Sequence, residues 1–591
     1  MKNKLRKTAQ YLLPVKKPAV QGGAYDIYPA HHLEEGEIFD DYTSLACRLQ
    51  RYPTVVIDGF GGVRFDLFKE RLNAGFMRMG IVPLWWDVSA AMKPEAEIDA
   101  MIAPFLGGED PLFGCRTSLS LIDFFDAARL ARILPDPDAP MNILVGEGAA
   151  LAGWEGPVVY IDLPKNEVQF RSRAGSVTNL GASAPDTPKK IYKRLYFVDW
   201  IVFGRHKKTL LPRIDFFVDG QRGEEITWME GSTLRHALSM LAANAFRVRP
   251  WFEPGMWGGQ WIKEHIPSLA QEDVPNYAWS FELIVPENGV IFTNHEGTML
   301  EVSFDMVMFQ DGVGVVGKAC YDRYGDEFPI RMDYLDNFDG GNLSIQCHPQ
   351  LDYAQKNFGE VLTQEETYYM LDTRPGAVVY LGFNENIVPE EFEKAVTESF
   401  QHATPLDVDR YVNHLPSHRH ELYLMPPGTL HSSGRNNLVL EISTTPYIFT
   451  FKIYDWLALD LDGMPRPLNI RRAMENLCFD RKGVEVERTL HSKSTLIKKE
   501  DDWELWHLPT HEAHSYDIHR YVVGSRVDVT TEGKFHVLNL VEGERIEIDT
   551  AGGKVLSLSY AETAVVSAAA DSYRIINRSN GPVMVIKAFI K

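Results

Sequence analysis

The chain changes texture at residue 251, and that break limits what it can fold into. Before it, apolar strand-like runs alternate with helix-like segments. TVVIDGF (54–60), PLWWDV (83–88), NILVGEG (142–148) and GPVVYIDL (156–163) read as buried strands, while DLFKERLNAGFM (66–77) and SLIDFFDAARLARIL (120–134) carry helical spacing. Strands separated by helices imply a parallel sheet with helices on both faces. After WFEPGMWGGQW (251–261) short alternating runs take over: SFELIVP, GVIFTN, MLEVSFDMVMF, LSIQCHP, TYYMLD, AVVYLGF, ELYLMPP and LVLEIST. Gly, Pro, Asn and Asp separate them. Many short strands with turn signals between them imply a sandwich or barrel.

A chain of 591 residues needs several cores. The expected fold class is multidomain: an N-terminal α/β unit with a parallel sheet, then all-β barrels of the cupin kind with a small helical insertion. The expected divisions are an arm at 1–44, the α/β unit at 45–250, a catalytic β domain at 251–492 with a helical segment near 468–480, a linker at 493–514, and a smaller β domain at 515–591. The basic start, MKNKLRKTAQYLLPVKK, has no apolar stretch of signal-peptide length and reads as a solvated arm. KRLYFVDW (193–200) is dense in aromatics and is expected to pack against the neighbouring domain. A net charge of −21 argues against nucleic-acid and anionic-membrane partners. Cys47, Cys115, Cys320, Cys347 and Cys478 are widely spaced with no CxxC, which suits a reducing, cytoplasmic setting without a disulfide scaffold.

GFGGVRFD (59–66) follows a strand and opens a helix, where a mononucleotide loop would lie. Read against G-x-x-x-x-G-K-[ST] from Gly59, the second glycine falls on Arg64, the lysine on Phe65 and the hydroxyl residue on Asp66. The phosphate lysine is missing, and an aspartate would repel phosphates. SLIDFFD (120–126), LVGEGAAL (144–151) and VVYIDLPKNEVQFR (158–171) resemble segments of uridine-kinase-like domains. Residues 45–250 therefore resemble a degenerate P-loop domain, with a structural or docking role expected rather than ATP binding.

In LSIQCHP (343–349) the apolar residues alternate with Ser344, Gln346 and His348, so the amide and the imidazole share one strand face. QEETYYML (364–371) offers Glu366, PPGTLHSSG (426–434) leads to His431, LEIST (440–444) carries Glu441 in an apolar strand, and FKIYDW (451–456) offers Lys452. Imidazoles, a carboxylate and an amide oxygen suit a divalent metal of zinc type with room for water or substrate. LSIQCHPQLDYA, EETYYMLDTRPGAVVYLGF, MPPGTLHSSG and FKIYDWLALDLDGMPRPLNI resemble, in order, the motifs of class I (type I) mannose-6-phosphate isomerases. The resemblance covers about residues 251–591. It implies metal ligands at Gln346, His348, Glu366 and His431, and one Zn2+ per chain or another divalent ion. It also implies Ser344, Arg331 and Asp455 at the substrate and Glu441 and Lys452 in catalysis. Three histidines at His414, His418 and His420 read as a solvated loop.

The sequence departs from that pattern in three places. Lys452 stands where the family has an arginine, Gln364 where it has a lysine two residues before the glutamate ligand, and the family's upstream pocket lysine has only Arg331 or Asp333 near its place. Lysine keeps the charge but loses the bidentate fork. The implied reaction is aldose–ketose isomerisation of mannose 6-phosphate and fructose 6-phosphate by proton transfer between C1 and C2. The alternatives are a non-catalytic sugar sensor, or an isomerase of a different sugar, phosphorylated or not.

Overall fold

The computed structural model describes residues 5–20, 23–34, 36–269, 273–285, 287–459 and 466–591. The first unit is a six-stranded sheet in the spatial order Leu84–Asp87, Asn142–Val145, Thr54–Gly59, Val158–Asp162, Ile214–Asp219, Thr227–Glu230. All pairs are parallel except the last. The strands are near-continuous apolar runs because both faces are covered, as parallel sheets require. The helix Phe65–Arg78 buries Phe68, Leu72 and Phe76. The expected helix at 120–134 is broken: Leu121–Phe124 is a 3-10 turn, Phe125 is extended, and Asp126 caps a short helix at Ala127–Leu130. The Asp126 carboxylate accepts from the Arg129 N–H and so starts a new helix in the middle of the run.

The glycines after Asp58 are packed by protein. A Cβ at Gly61 would meet the Phe203 ring at 2.5 Å, and one at Gly62 would meet Val168 at 3.2 Å. Arg171 donates to the Gly62 carbonyl at 3.0 Å. Side chains thus fill the space that phosphates would need.

Two antiparallel sheets form the middle of the molecule. One has seven strands in the order His491–Ser492, Leu422–Met425, Glu366–Thr373, Asn437–Thr444, Ile330–Asp336, Trp279–Leu283, Trp251–Glu253. The other has five, in the order Val412–Pro416, Val378–Phe383, His431–Ser433, Ile345–Cys347, Phe451–Tyr454. Gly259 makes a close approach next to Trp257, where a Cβ would lie 2.2 Å from the Asp336 carboxylate. A second sandwich pairs Tyr516–Val523, Val583–Ile590, His536–Glu542 and Thr563–Val566 in one sheet and four strands between Arg526 and Asn577 in the other.

Other expectations also differ from the structure. Residues 493–514 are not a linker: Thr495–Lys499 and Trp503–Leu508 form a hairpin that extends the C-terminal sheet through Tyr516–Val523. Their many charges lie on an edge strand, where charge blocks further pairing. The arm is not solvated: Leu13 is fully buried, and Arg222 and Arg249 capture the Leu13 and Tyr11 carbonyls. MLEVSFDMVMF is a strand, Met299–Ser303, running into a helix, Asp305–Val316. A helix at Pro389–His402 joins the helical segment expected near 468–480, which forms at Ile470–Met474. Its signals are Pro389 at the first position and buried Phe392, Val396 and Ser399 at helical spacing. The D-G of the DLDGMP run lies outside the described residues. One apolar core runs from Tyr160 and Phe217 through Met332 and Tyr369 to Phe535 and Ile590, so the three units share an interior.

Candidate metal centre

The two central sheets each present polar side chains toward the other. On the seven-stranded sheet, Asp333 pairs with Glu441 and Glu441 with Tyr368, while Arg331 and Glu366 both pair with Ser443 on the next rung of that face. On the five-stranded sheet, Gln346 pairs with both His431 and Lys452. Strand register therefore fixes which side chains meet, because directly opposed residues point the same way.

His348, Glu366 and His431 converge, with one ligand atom from each lying within 4.8 Å of the others. Glu366 Oε2 is 3.0 Å from His348 Nε2 and 2.7 Å from His431 Nε2. His348 Nδ1 lies 3.2 Å from the Phe449 carbonyl and His431 Nδ1 2.9 Å from the Thr429 carbonyl. A carbonyl only accepts, so each Nδ1 carries the proton and each Nε2 offers a lone pair to the centre. Two lone pairs and a carboxylate oxygen at these separations repel one another unless a cation lies among them. Glu366 Oε1 is buried with no hydrogen-bond partner. Burial opposes ionisation of Glu366, and positive charge on the imidazole side of the cluster would hold the carboxyl well below its usual range, a charge that a bound cation would supply when both rings are neutral. Burial also lowers His348, keeping the imidazole neutral. This donor set fits a divalent metal of zinc type.

Gln346 Nε2 is 3.4 Å from His431 Nε2, and Ser344 Oγ donates to Gln346 Oε1 at 2.9 Å. A 180° turn of the amide exchanges its two ends and aims Oε1 at the cluster. Ser344 thus contacts the candidate ligand Gln346. Glu441 accepts from Arg331, from Ser443 at 3.1 Å and from Gln364 at 3.3 Å. Burial raises Glu441 well above the usual carboxyl range, with Asp333 and Glu366 adding to the effect and Arg331 opposing it. Arg331 Nη1, Gln364 Oε1 and Tyr368 Oη are buried around the cluster without partners. Lys452 Nζ lies 3.9 Å from Asp455, which also receives Arg466 at 3.1 Å. The following turn holds Trp456 and Leu457 at φ 52° and 59°, a costly conformation pinned by the Trp456 indole donating to Leu343 at 2.7 Å.

The histidine-rich loop stays away from this cluster. His414 and His418 are exposed. His420 differs from the solvated reading: it bonds Tyr369 at 2.8 Å and reaches Glu542 of the C-terminal sandwich at 3.3 Å.

Sequence reasoning did not find the supports behind the centre, which come from the first unit. The 445–450 loop carries Phe449, whose carbonyl orients His348. Phe449 packs against Phe113 and Phe197 at 5.6 and 6.1 Å and stacks on Phe358 at 4.3 Å. Tyr447 bonds Tyr192 of the first unit at 2.7 Å and lies under the Arg331 guanidinium at 5.6 Å. Arg116 pairs with Glu327 and Glu360 at 2.8 and 3.0 Å. The aromatic density of 193–200 was the only signal for this contact.

Comparison with known proteins covers the chain in two pieces. Residues 41–243 match a family described as "Domain of unknown function (DUF8485)". Among curated proteins, the chain is 25% identical over 229 residues to "Probable mannose-6-phosphate isomerase GmuF" of Bacillus subtilis, covering 39% of this chain and 66% of that one. It is 23% identical over 220 residues to mannose-6-phosphate isomerase ManA of the same organism, covering 37% and 64%. It is 28% identical over 150 residues to the Streptococcus mutans mannose-6-phosphate isomerase, covering 25% and 44%. The chain thus spans under two thirds of the length of these relatives. The solved mannose 6-phosphate isomerase of Bacillus subtilis aligns at 18% identity and a TM-score of 0.47, over 58% of this chain and 99% of that one. The relatives bear the isomerase name, so a sugar-phosphate isomerase is the enzyme class to which the similarity points. No helix among the described residues is long and apolar enough to cross a membrane.

Proposed function

We propose that the chain is a metal-dependent aldose–ketose isomerase acting on a sugar phosphate, most simply mannose 6-phosphate and fructose 6-phosphate. The observation that carries this reading is the His348–Glu366–His431 cluster, with Gln346 beside it. Those four residues would hold the ion. When bound, it supplies Lewis-acid stabilisation of charge on the substrate oxygens. The chain's own residues do the rest. Glu441, raised by burial, is suited to take and return the proton that moves between C1 and C2. Lys452, on the rung of Gln346, places a positive charge where the enediol oxygens develop theirs. Arg331, Ser344 and Asp455 line the sugar's position.

The sugar-sensor reading is separated by exchange chemistry. The metal-loaded chain in heavy water is expected to incorporate deuterium into mannose 6-phosphate faster than into mannose, followed by NMR. Equal exchange into the free sugar favours an unphosphorylated substrate, and no exchange into either sugar refutes the enzyme reading. Tyr192→Phe removes the hydroxyl that holds Tyr447 beneath Arg331. It is expected to raise KM about fivefold, the value of one hydrogen bond of ~1 kcal/mol, with metal content unchanged. The uridine-kinase-like ancestry of residues 45–250 is a proposal resting on loop motifs. Calorimetry is expected to find no ATP binding, and micromolar affinity would overturn the structural role.

A further inference from the structure

The inner face of the C-terminal sandwich turns from apolar to basic at one end. Along Val583–Ile590, Val583 and Val585 join the sandwich core, but Lys587 and Phe589 follow on the same face. Along Tyr516–Val523, Val523 and Tyr521 give way to His519. Register places His507 opposite His519 and His519 opposite Lys587, a row of three basic groups across adjacent strands.

Among the described residues Lys587 has no ion pair, and the charge of Glu532 only partly offsets its burial. Lys587 is 8% exposed, and its ammonium lies over two rings, Phe589 at 4.9 Å and Tyr521 at 5.6 Å. His519 Nδ1 is buried without a hydrogen-bond partner. Lys534 reaches the same Phe589 ring at 5.6 Å, and the His519 and His536 rings lie 4.8 and 6.1 Å from it. Asp517 is engaged by His507 at 2.8 Å, and Glu532 sits on the exposed turn above. Burial drags Lys587 down to about 8 and His519 to about 4. A chain with a net charge of −21 has gathered five basic side chains here with little to neutralise them.

We propose that this end of the C-terminal sandwich is a second binding site, separate from the metal centre, for a small phosphate-class anion. Lys587 and His519 grip it from within, Lys534 and His507 stand at the rim, and Phe589 forms the floor. These are point donors spread over an arc, which suits a tetrahedral oxyanion better than the planar carboxylate that an arginine fork would favour.

The test is thermal unfolding and calorimetry of the full chain with inorganic phosphate as probe. Phosphate at about 10 mM is expected to raise Tm by about 2 °C or more in the wild type. Lys587→Met replaces a buried basic side chain with an apolar one of similar length. It is expected to melt higher than wild type without phosphate and to lose the phosphate-dependent rise. His519→Gln, a milder change, is expected to weaken phosphate binding about fivefold. A wild type indifferent to phosphate, or a Lys587→Met chain with an undiminished rise, overturns the site; the second result would place the anion elsewhere.

Discussion

Glu366→Gln is expected to lower isomerisation by about 10³-fold or more and to leave the chain unable to retain a divalent ion. The reason lies in one oxygen. Glu366 Oε2 faces His348 Nε2 at 3.0 Å and His431 Nε2 at 2.7 Å, and both rings are held by backbone carbonyls with their lone pairs turned inward. Glutamine keeps the shape but not the charge that draws a cation there. Its amide can donate to an imidazole nitrogen, so the metal-free variant is expected to melt no lower than the metal-free wild type. A purely structural cluster predicts the opposite pattern: removal of a buried carboxylate from between two imidazoles would cost about 3–5 kcal/mol and metal content would be irrelevant. Elemental analysis and melting of the two metal-free proteins decide between them.

Lys452→Met is expected to lower kcat by about 10²–10³ while changing KM little. Lys452 is the cross-strand partner of Gln346 on the five-stranded sheet, so its charge faces the same side as the candidate ligands. The charge it is proposed to stabilise exists only in the transition state, hence the expected effect on kcat. Lys452→Arg is expected to raise activity above wild type, because the fork adds a second donor to the same position. Steady-state rates settle both. A Lys452→Met chain with normal kcat would remove this residue from the chemistry and leave it as the partner of Asp455, 3.9 Å away.

The parts of this molecule that were legible in the sequence are those dictated by period and spacing. TVVIDGF and VVYIDL read as parallel strands because both of their faces are apolar, and they are Thr54–Gly59 and Val158–Asp162. LSIQCHP gave away its strand by alternation, and Gln346 and His348 emerge on one side of it. Pairing between distant strands was not legible. That Lys452, Gln346 and His431 share a rung follows from long-range register, which no local pattern encodes. The hairpin at 495–508 was hidden by its charges, which suit an edge strand as well as a linker. Supports made of backbone were invisible too. The Phe449 carbonyl that fixes the His348 tautomer belongs to a loop whose place is set by Phe113, Phe197 and Phe358.

Dependence on the front unit follows from the same contacts. Arg472 of the helix Ile470–Met474 pairs with Asp110 at 2.6 Å, and Arg116 N–H donates to the Phe358 carbonyl at 2.9 Å, so residues 110–117 grip both sides of the loop behind His348. The first unit therefore packs behind the candidate metal centre, and the glycines after its strand Thr54–Gly59 are covered by Val168 and Phe203.

The most direct test follows one sample through three states. Deuterium incorporation at C2 of mannose 6-phosphate is recorded for the zinc-loaded chain, again after chelation, and again after zinc is returned. Exchange that is present, vanishes with the ion and reappears with it is the predicted outcome. Exchange that persists in the chelated protein, or never occurs in the loaded one, contradicts an isomerase built around His348, Glu366 and His431.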